Sequence, residues 1–350
     1  MKTCVMLMGR GQFGAGGEGL TRVALLDDYQ GVALAIADWR ALGSEVRVEA
    51  FSDHLVDENA IASRLAPFEI AVAMRERTPF GAGLLGRLAA LRLLITTGMG
   101  NASIDLDAAT RLGIVVCGTP MLPYPTAELT WGLILALARR IPQEHQAVRE
   151  GRWQVTVGSG LRGKTLGVIG LGRLGAQVAA IGGAFGMALV AWSENLTAAR
   201  AAECGAALSS KDELLERSDV VTIHLRLSPR TVGLIGAREL ARMRRTAILV
   251  NTSRGPIVAE RALLDALGAG TIAGAALDVF DAEPLPADHP LRRADNVVLT
   301  PHLGYVTVEG YREAYGGAVE DIRAFLLGAP VRVLNEDVLG SRALRMPRSR

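Results

Sequence analysis

Short apolar runs alternate with stretches of helical periodicity along most of the chain, which predicts parallel strands joined by helices. Arg22–Asp27 reads as a first strand, Val32–Leu42 as a helix and Glu45–Phe51 as a strand of alternating polarity. Val56–Leu65 is then expected as a helix, Ile70–Met74 as a strand, Gly83–Ala90 as a helix and Leu91–Thr96 as a buried strand. Ile104–Leu112 and Gly113–Cys117 complete a last helix and strand. Three prolines in Thr119–Pro125 stop this pattern and forbid a helix until Thr126, which is read as the cap of an apolar helix over Ala127–Arg140. Its apolar residues run round more than one face, so it is expected to be buried between domains or subunits.

A second series follows. Leu166–Ile169 reads as a strand, Ala176–Phe185 as a helix and Met187–Trp192 as a strand. Ser210 and Glu213 form a capping box before a short helix. Val220–Leu225, Ala247–Val250, Ala273–Val279 and Val297–Leu299 read as strands, with a helix at Arg261–Leu267. A long helix, Glu309–Leu327, comes after the second sheet is complete, so it is free to return to the first domain and leave a cleft between the two.

The turn between the first strand and helix of the second series holds Gly170, Gly172 and Gly175 in G-x-G-x-x-G spacing. Gly170 suits a tight turn, Gly172 lets backbone approach phosphates, and Gly175 lets helix and strand pack closely. A pyrophosphate then meets the open N–H groups at the helix start, where Arg173 and Leu174 stand. Ser193 and Glu194 end the next strand, about 20 residues on, where an acid meets the adenosine ribose in dinucleotide folds. No V-A-I-K, H-R-D or D-F-G accompanies the glycines, which argues against a kinase loop. Gly9, Gly11 and Gly14 repeat the spacing near the start, but a strand follows them instead of a helix, so residues 1–20 are read as a disordered extension.

Length and composition change this picture little. A chain of 350 residues suggests two domains, and 49% hydrophobic with 21% charged residues is ordinary for a globular protein. The net charge of +2 is concentrated in Arg342, Arg345, Arg348 and Arg350, so a nucleic-acid surface is not expected. Cys4, Cys117 and Cys204 are scattered, which points to a reducing compartment without disulfides or a zinc site. No run reaches membrane-spanning length, and Cys4–Met8 is too short for a signal-peptide core.

In open α/β sheets ligands bind beyond the carboxyl ends of strands. Arg254, Glu283 and His302 each follow an apolar strand in the second series. An imidazole can relay a proton beside a hydride path, a carboxylate on its other nitrogen would hold the tautomer, and a guanidinium can clamp a substrate carboxylate through two bonds. The set suits a 2-keto acid. His54, His145, His224 and His289 are read as structural, with the backbone of His224 mattering more than its ring.

Four motifs in order resemble the D-isomer-specific 2-hydroxyacid dehydrogenase family over about residues 21–335. They are Gly170–Gly175, Asn251-Thr252-Ser253-Arg254-Gly255, Asp278-Val279-Phe280 with Glu283-Pro284, and Thr300-Pro301-His302-Leu303-Gly304. The resemblance implies an NAD(P)-dependent oxidoreductase acting on a 2-keto or D-2-hydroxy acid. In it His302 is the acid/base, Glu283 its partner and Arg254 the carboxylate clamp. Backbone N–H groups of Met99 and Gly100 are implied to bind the substrate carboxylate, and Asp278, Thr252, Ser253 and Gly304 to line the cofactor pocket. A cytoplasmic homodimer is implied, with the long helix after the prolines in the interface.

The expected fold is two doubly wound parallel-sheet domains, a Rossmann dinucleotide-binding domain and a flavodoxin-like substrate domain. The substrate domain is expected at 21–122 and 304–335, the cofactor domain at 123–303, and a basic tail at 336–350. Ser193 stands where the family usually has Asp, which weakens the case for NAD over NADP, but no arginine adjoins to bind a 2′-phosphate and Glu194 can supply the acid, so NAD is expected with NADP as the alternative. The loop from Gly100 to Asp105 lacks the family's usual Asp-Asn. The competing reading is a dehydrogenase-like, dinucleotide-sensing binding module resembling the corepressors of this family.

Overall fold

The computed structural model describes residues 20–347; the extension expected at 1–20 therefore lies, save Leu20, outside the described residues. The chain divides into two compact units, one built from 20–120 and 312–347, the other from 121–311.

The first unit holds five parallel strands: β1 (Thr21–Leu25), β2 (Val46–Ala50), β3 (Ile70–Ala73), β4 (Leu93–Thr96) and β5 (Val115–Gly118), in the order β2-β1-β3-β4-β5. β3, β4 and β5 are buried along their whole length, as strands covered on both faces must be. Ala24, Ala71, Leu94 and Val116 point to one face, where they pack with Leu65, Leu84 and Leu85 of the covering helices and with Phe68 of the loop before β3.

The expected helix Val32–Leu42 is split, with a four-residue helix at Ala33–Ile36 and a 3₁₀ turn at Trp39–Leu42. Ala37 between them is extended, and the Trp39 indole N–H donates to the Ala33 carbonyl at 2.8 Å, closing the break. Residues 336–347, expected as a basic tail, are packed on this unit. Val338 is fully buried, and the Arg345 guanidinium donates to the carbonyls of Leu88, Ala89 and Leu91. Charge alone hid this, because the arginine is used for backbone capture rather than for solvation.

The second unit holds seven parallel strands: β6 (Thr165–Ile169), β7 (Ala188–Trp192), β8 (Ala207–Leu208), β9 (Val220–Ile223), β10 (Ile248–Asn251), β11 (Gly274–Leu277) and β12 (Val297–Leu299). Their order is β12-β11-β10-β9-β6-β7-β8, so the order reverses between β6 and β9, the switch point at which dinucleotides bind in such sheets. Alternate residues feed two cores: Val221, Ile223, Leu249 and Ala275 on one face, Val220, Val250 and Ala276 on the other.

The helix after the prolines runs Pro125–Ala138 and packs Ala127, Trp131, Ile134 and Leu137 into the second core. Thr126 is not its cap. Pro125 occupies the first turn, where its missing N–H costs nothing, and the Thr126 hydroxyl instead donates to the Gly304 carbonyl at 2.8 Å. The long helix Val308–Leu326 spans the boundary between the units, which falls after Tyr311. No helix among the described residues is long and apolar enough to cross a membrane.

Candidate active site

The fingerprint turn leaves β6 at Ile169, and its backbone explains the glycines. Gly170 has φ 98°, and a Cβ there would lie 2.8 Å from the His224 carbonyl carbon at the end of β9. A Cβ on Gly175 would lie 2.1 Å from the Gly170 oxygen. Around Gly172 there is open space, and no side chain caps the helix Arg173–Ala184 that begins there. An uncapped helix start with free room beside it at the switch point fits a pyrophosphate. His224 supports this turn through its backbone: its N–H donates to the Ile169 carbonyl at 2.8 Å, while its ring rests on the Thr222 hydroxyl. Burial pulls the imidazole down to about 4, so the ring stays neutral. Ser193 is half-buried and Glu194 exposed just past β7.

The three loops after β10, β11 and β12 carry the remaining polar groups. Asn251 shapes the first: its amide donates to the Arg254 carbonyl at 2.9 Å and its oxygen accepts from the Ser253 N–H at 3.0 Å. Thr252 is buried, with its hydroxyl 2.9 Å from that of Thr130, and the Ser253 hydroxyl donates to the Leu225 carbonyl. The Arg254 guanidinium donates to the Ser253 carbonyl at 2.8 Å. Its neighbour Gly255 admits no side chain, since a Cβ would lie 2.1 Å from the Phe280 carbonyl carbon. That close approach seats the arginine loop against the loop bearing Glu283.

His302 and Glu283 are joined, Nδ1 to Oε2 at 2.6 Å, with both side chains partly exposed. The other carboxylate oxygen of Glu283 accepts the Phe280 N–H at 2.9 Å, so the carboxylate is fixed before it meets the ring. His302 itself has φ 55°, a left-handed backbone that a non-glycine residue keeps only where its surroundings impose it. The imposing group is Asp278, whose carbonyl accepts the His302 N–H at 2.8 Å.

The Asp278 carboxylate, fully buried, accepts from the Thr300 hydroxyl at 2.6 Å and from the Leu303 and Gly304 N–H groups at 2.7 and 2.9 Å. Burial raises its pKa, opposed by those three bonds and by His302. Its side chain thus anchors the histidine loop, a use that the residue pattern gave no means of seeing.

Met99 and Gly100 lie in the first unit, in the loop after β4, and are exposed. Their N–H groups have no acceptor among the described residues, whereas Gly98 N–H donates to the Thr119 hydroxyl at 3.1 Å. Two adjacent free donors are suited to an anion. His54, read as structural, is bonded to the buried Asp27 at 2.8 Å, and His289 pairs with Glu260 at 3.1 Å. No cluster of metal-ligating side chains occurs among the described residues.

A Rossmann sheet with an open fingerprint turn, beside a histidine held by a carboxylate, defines a nicotinamide-dinucleotide-dependent oxidoreductase. The profile of the D-isomer specific 2-hydroxyacid dehydrogenase NAD binding domain matches residues 131–304. A glyoxylate reductase of Aeropyrum pernix is 45% identical over 73% of this chain and 80% of its own length. A D-3-phosphoglycerate dehydrogenase of Archaeoglobus fulgidus is 41% identical over 77% of this chain and 52% of its own, so the chain spans about half of that relative. The crystal structure of a phosphoglycerate oxidoreductase from Vibrio cholerae superposes with a TM-score of 0.85 at 35% identity, covering 89% of this chain and 100% of that one. The chain belongs to the D-isomer specific 2-hydroxyacid dehydrogenase family, and its cofactor is NAD(P).

Proposed function

We propose that this enzyme interconverts a small 2-keto acid and the D-2-hydroxy acid, with His302 as acid/base, Glu283 as its partner and Arg254 as the carboxylate clamp. The single observation that carries the assignment is the 2.6 Å contact between His302 and Glu283 at the carboxyl ends of β11 and β12. With Nδ1 committed to the carboxylate, Nε2 is the nitrogen left to pass a proton to the substrate oxygen during reduction and to take it back during oxidation. The bound dinucleotide supplies or accepts the hydride.

Gly170, Gly172, Arg173, Leu174 and Gly175 hold its pyrophosphate, Ser193 and Glu194 meet the adenosine ribose, and Thr252, Ser253, Asp278 and Gly304 border the nicotinamide. Glu194 favours NAD, because a carboxylate opposes a 2′-phosphate; the missing Asp at Ser193 keeps NADP as the alternative. Met99 and Gly100 receive the substrate carboxylate through their free N–H groups.

The protein acts as a homodimer in the cytoplasm. Supporting the dimer are the exposed apolar side chains Ile141, Val148, Trp153, Val155 and Val157, which follow the helix Pro125–Ala138. Supporting the compartment are two unpaired cysteines among the described residues, Cys117 and Cys204.

The test is a panel of 2-keto acids, from glyoxylate to branched and phosphorylated ones, with NADH and NADPH. His302→Ala and Arg254→Ala should lower kcat/KM by about a hundredfold or more while NADH binding persists. Near-normal kcat/KM in either variant would remove the corresponding role.

A further inference from the structure

Arg75 has no role in the site assigned above, yet it holds the loop that carries Met99 and Gly100 at both ends. It follows β3, the strand beside β4, and its backbone is left-handed at φ 53°. That conformation turns its N–H toward the Thr97 hydroxyl, at 2.9 Å, and its carbonyl toward the Asn101 amide, at 2.6 Å. Its guanidinium, largely buried, donates to the Thr97 carbonyl at 3.1 Å. Thr97 opens the loop and Asn101 closes it.

Asn101 completes the bracket. Its amide also reaches the Thr96 hydroxyl at 2.9 Å, and its oxygen accepts the Ser103 N–H at 2.8 Å. This is how a loop without the family's Asp-Asn keeps its shape. Between the two ends, the Gly98 N–H is taken by the Thr119 hydroxyl, and the N–H groups of Met99 and Gly100 have no acceptor among the described residues, so the bracket fixes the direction in which those two donors point. The same guanidinium lies 3.5 Å from the Glu76 carboxylate, so what it gives the loop is the bond to the Thr97 carbonyl and not an uncompensated charge.

We propose that Arg75 is a positioning residue for the substrate-carboxylate loop; this rests on the assignment of Met99 and Gly100 made above. A donor pair held in place before the substrate arrives spends no binding energy on ordering the loop. Losing the guanidinium bond should therefore act on substrate capture more than on the chemical step.

The experiment compares Arg75→Ala, Asn101→Ala and Gly100→Pro with the wild-type enzyme on its best keto acid. For Arg75→Ala and Asn101→Ala, KM should rise by about tenfold or more, with kcat changed by less than about threefold. NADH affinity, set by glycines of the other unit, should not move. Added guanidinium ion should lower the KM of Arg75→Ala back toward wild type, which a general loss of structure would not allow.

Gly100→Pro removes one donor outright. If it leaves KM unchanged, the carboxylate assignment fails and the role of Arg75 falls with it. If Gly100→Pro raises KM while Arg75→Ala and Asn101→Ala stay within about twofold, the assignment stands and the bracket is wrong. A fall in thermal stability and NADH affinity alongside KM, without rescue, would likewise overturn it.

Discussion

Replacing Gly175 by alanine is the sharpest perturbation of the cofactor turn. The added Cβ would sit 2.1 Å from the Gly170 oxygen, about 1.3 Å short of the 3.4 Å at which ordinary contact begins. Neither side can yield cheaply. Gly170 is pinned by its N–H bond to the Trp192 carbonyl at 2.8 Å and by the His224 backbone behind it. The obstacle is backbone, not the tip of a mobile side chain.

The helix Arg173–Ala184 must therefore move by roughly 1 Å away from the turn, and displacements of that size cost about a hundredfold where geometry matters. Overpacking adds about 1–3 kcal/mol of destabilisation. Gly175→Ala should thus weaken NADH binding by about tenfold or more and lower Tm. The comparison is Gly172→Ala, where a Cβ meets nothing within 4 Å; it should leave Tm unchanged and weaken NADH binding only, by crowding the phosphates. Fluorescence titration of NADH and thermal denaturation give both quantities. A Gly175→Ala protein with wild-type affinity and Tm would refute the claim that this close approach shapes the cofactor site.

Two further outcomes follow from buried carboxylates. Asp278→Asn puts an NH₂ where one carboxylate oxygen accepts, so the bonds from Leu303 and Gly304 N–H cannot both survive; kcat should fall by about tenfold or more, and an unchanged kcat would show that the His302 loop does not need this anchor. Burial raises Asp321 to about 7, in spite of Arg332 beside it. Its folded pKa lies above the ordinary aspartate value of about 3.9, so the folded state holds the proton more tightly, and stability should fall as pH rises from about 4 to about 7, by at most about 4 kcal/mol. Asp321→Asn should flatten that slope in urea unfolding followed across this range; equal slopes in the two proteins would exclude Asp321 as its source.

Much of the fold was legible because fully buried parallel strands leave a plain apolar signature, as at Ile70–Ala73 and Ile248–Asn251. The capping box at Ser210 and Glu213 was equally readable and is present. The helix Ile141–Arg149 was not, because Arg140 before it takes a left-handed φ of 55° and the expected helix was run on to that residue. Pro142 in the first turn was the signal available. The short helices Ala198–Glu203 and Ala237–Arg242 hold too few residues for periodicity to register.

At the site, residue types and their order identified Arg254, Glu283 and His302 as candidates. What a linear pattern cannot carry is which polar groups are consumed by backbone. The commitment of the Asp278 carboxylate to three donors and the bracketing of Thr97 and Asn101 by Arg75 both depend on loops distant in sequence.

His302 is suspended from Asp278, an extension of β11, and its carboxylate partner lies within the same unit. The proposed proton handling and the Arg254 clamp therefore belong to the unit of the seven-stranded sheet, while the Met99 and Gly100 donors proposed for the substrate, with the strand-end loops around them, belong to the other unit. Such a division lets recognition be rewritten by exchanging those loops without retuning the acid/base machinery, and an engineer seeking a new hydroxy acid would leave residues 278–304 alone.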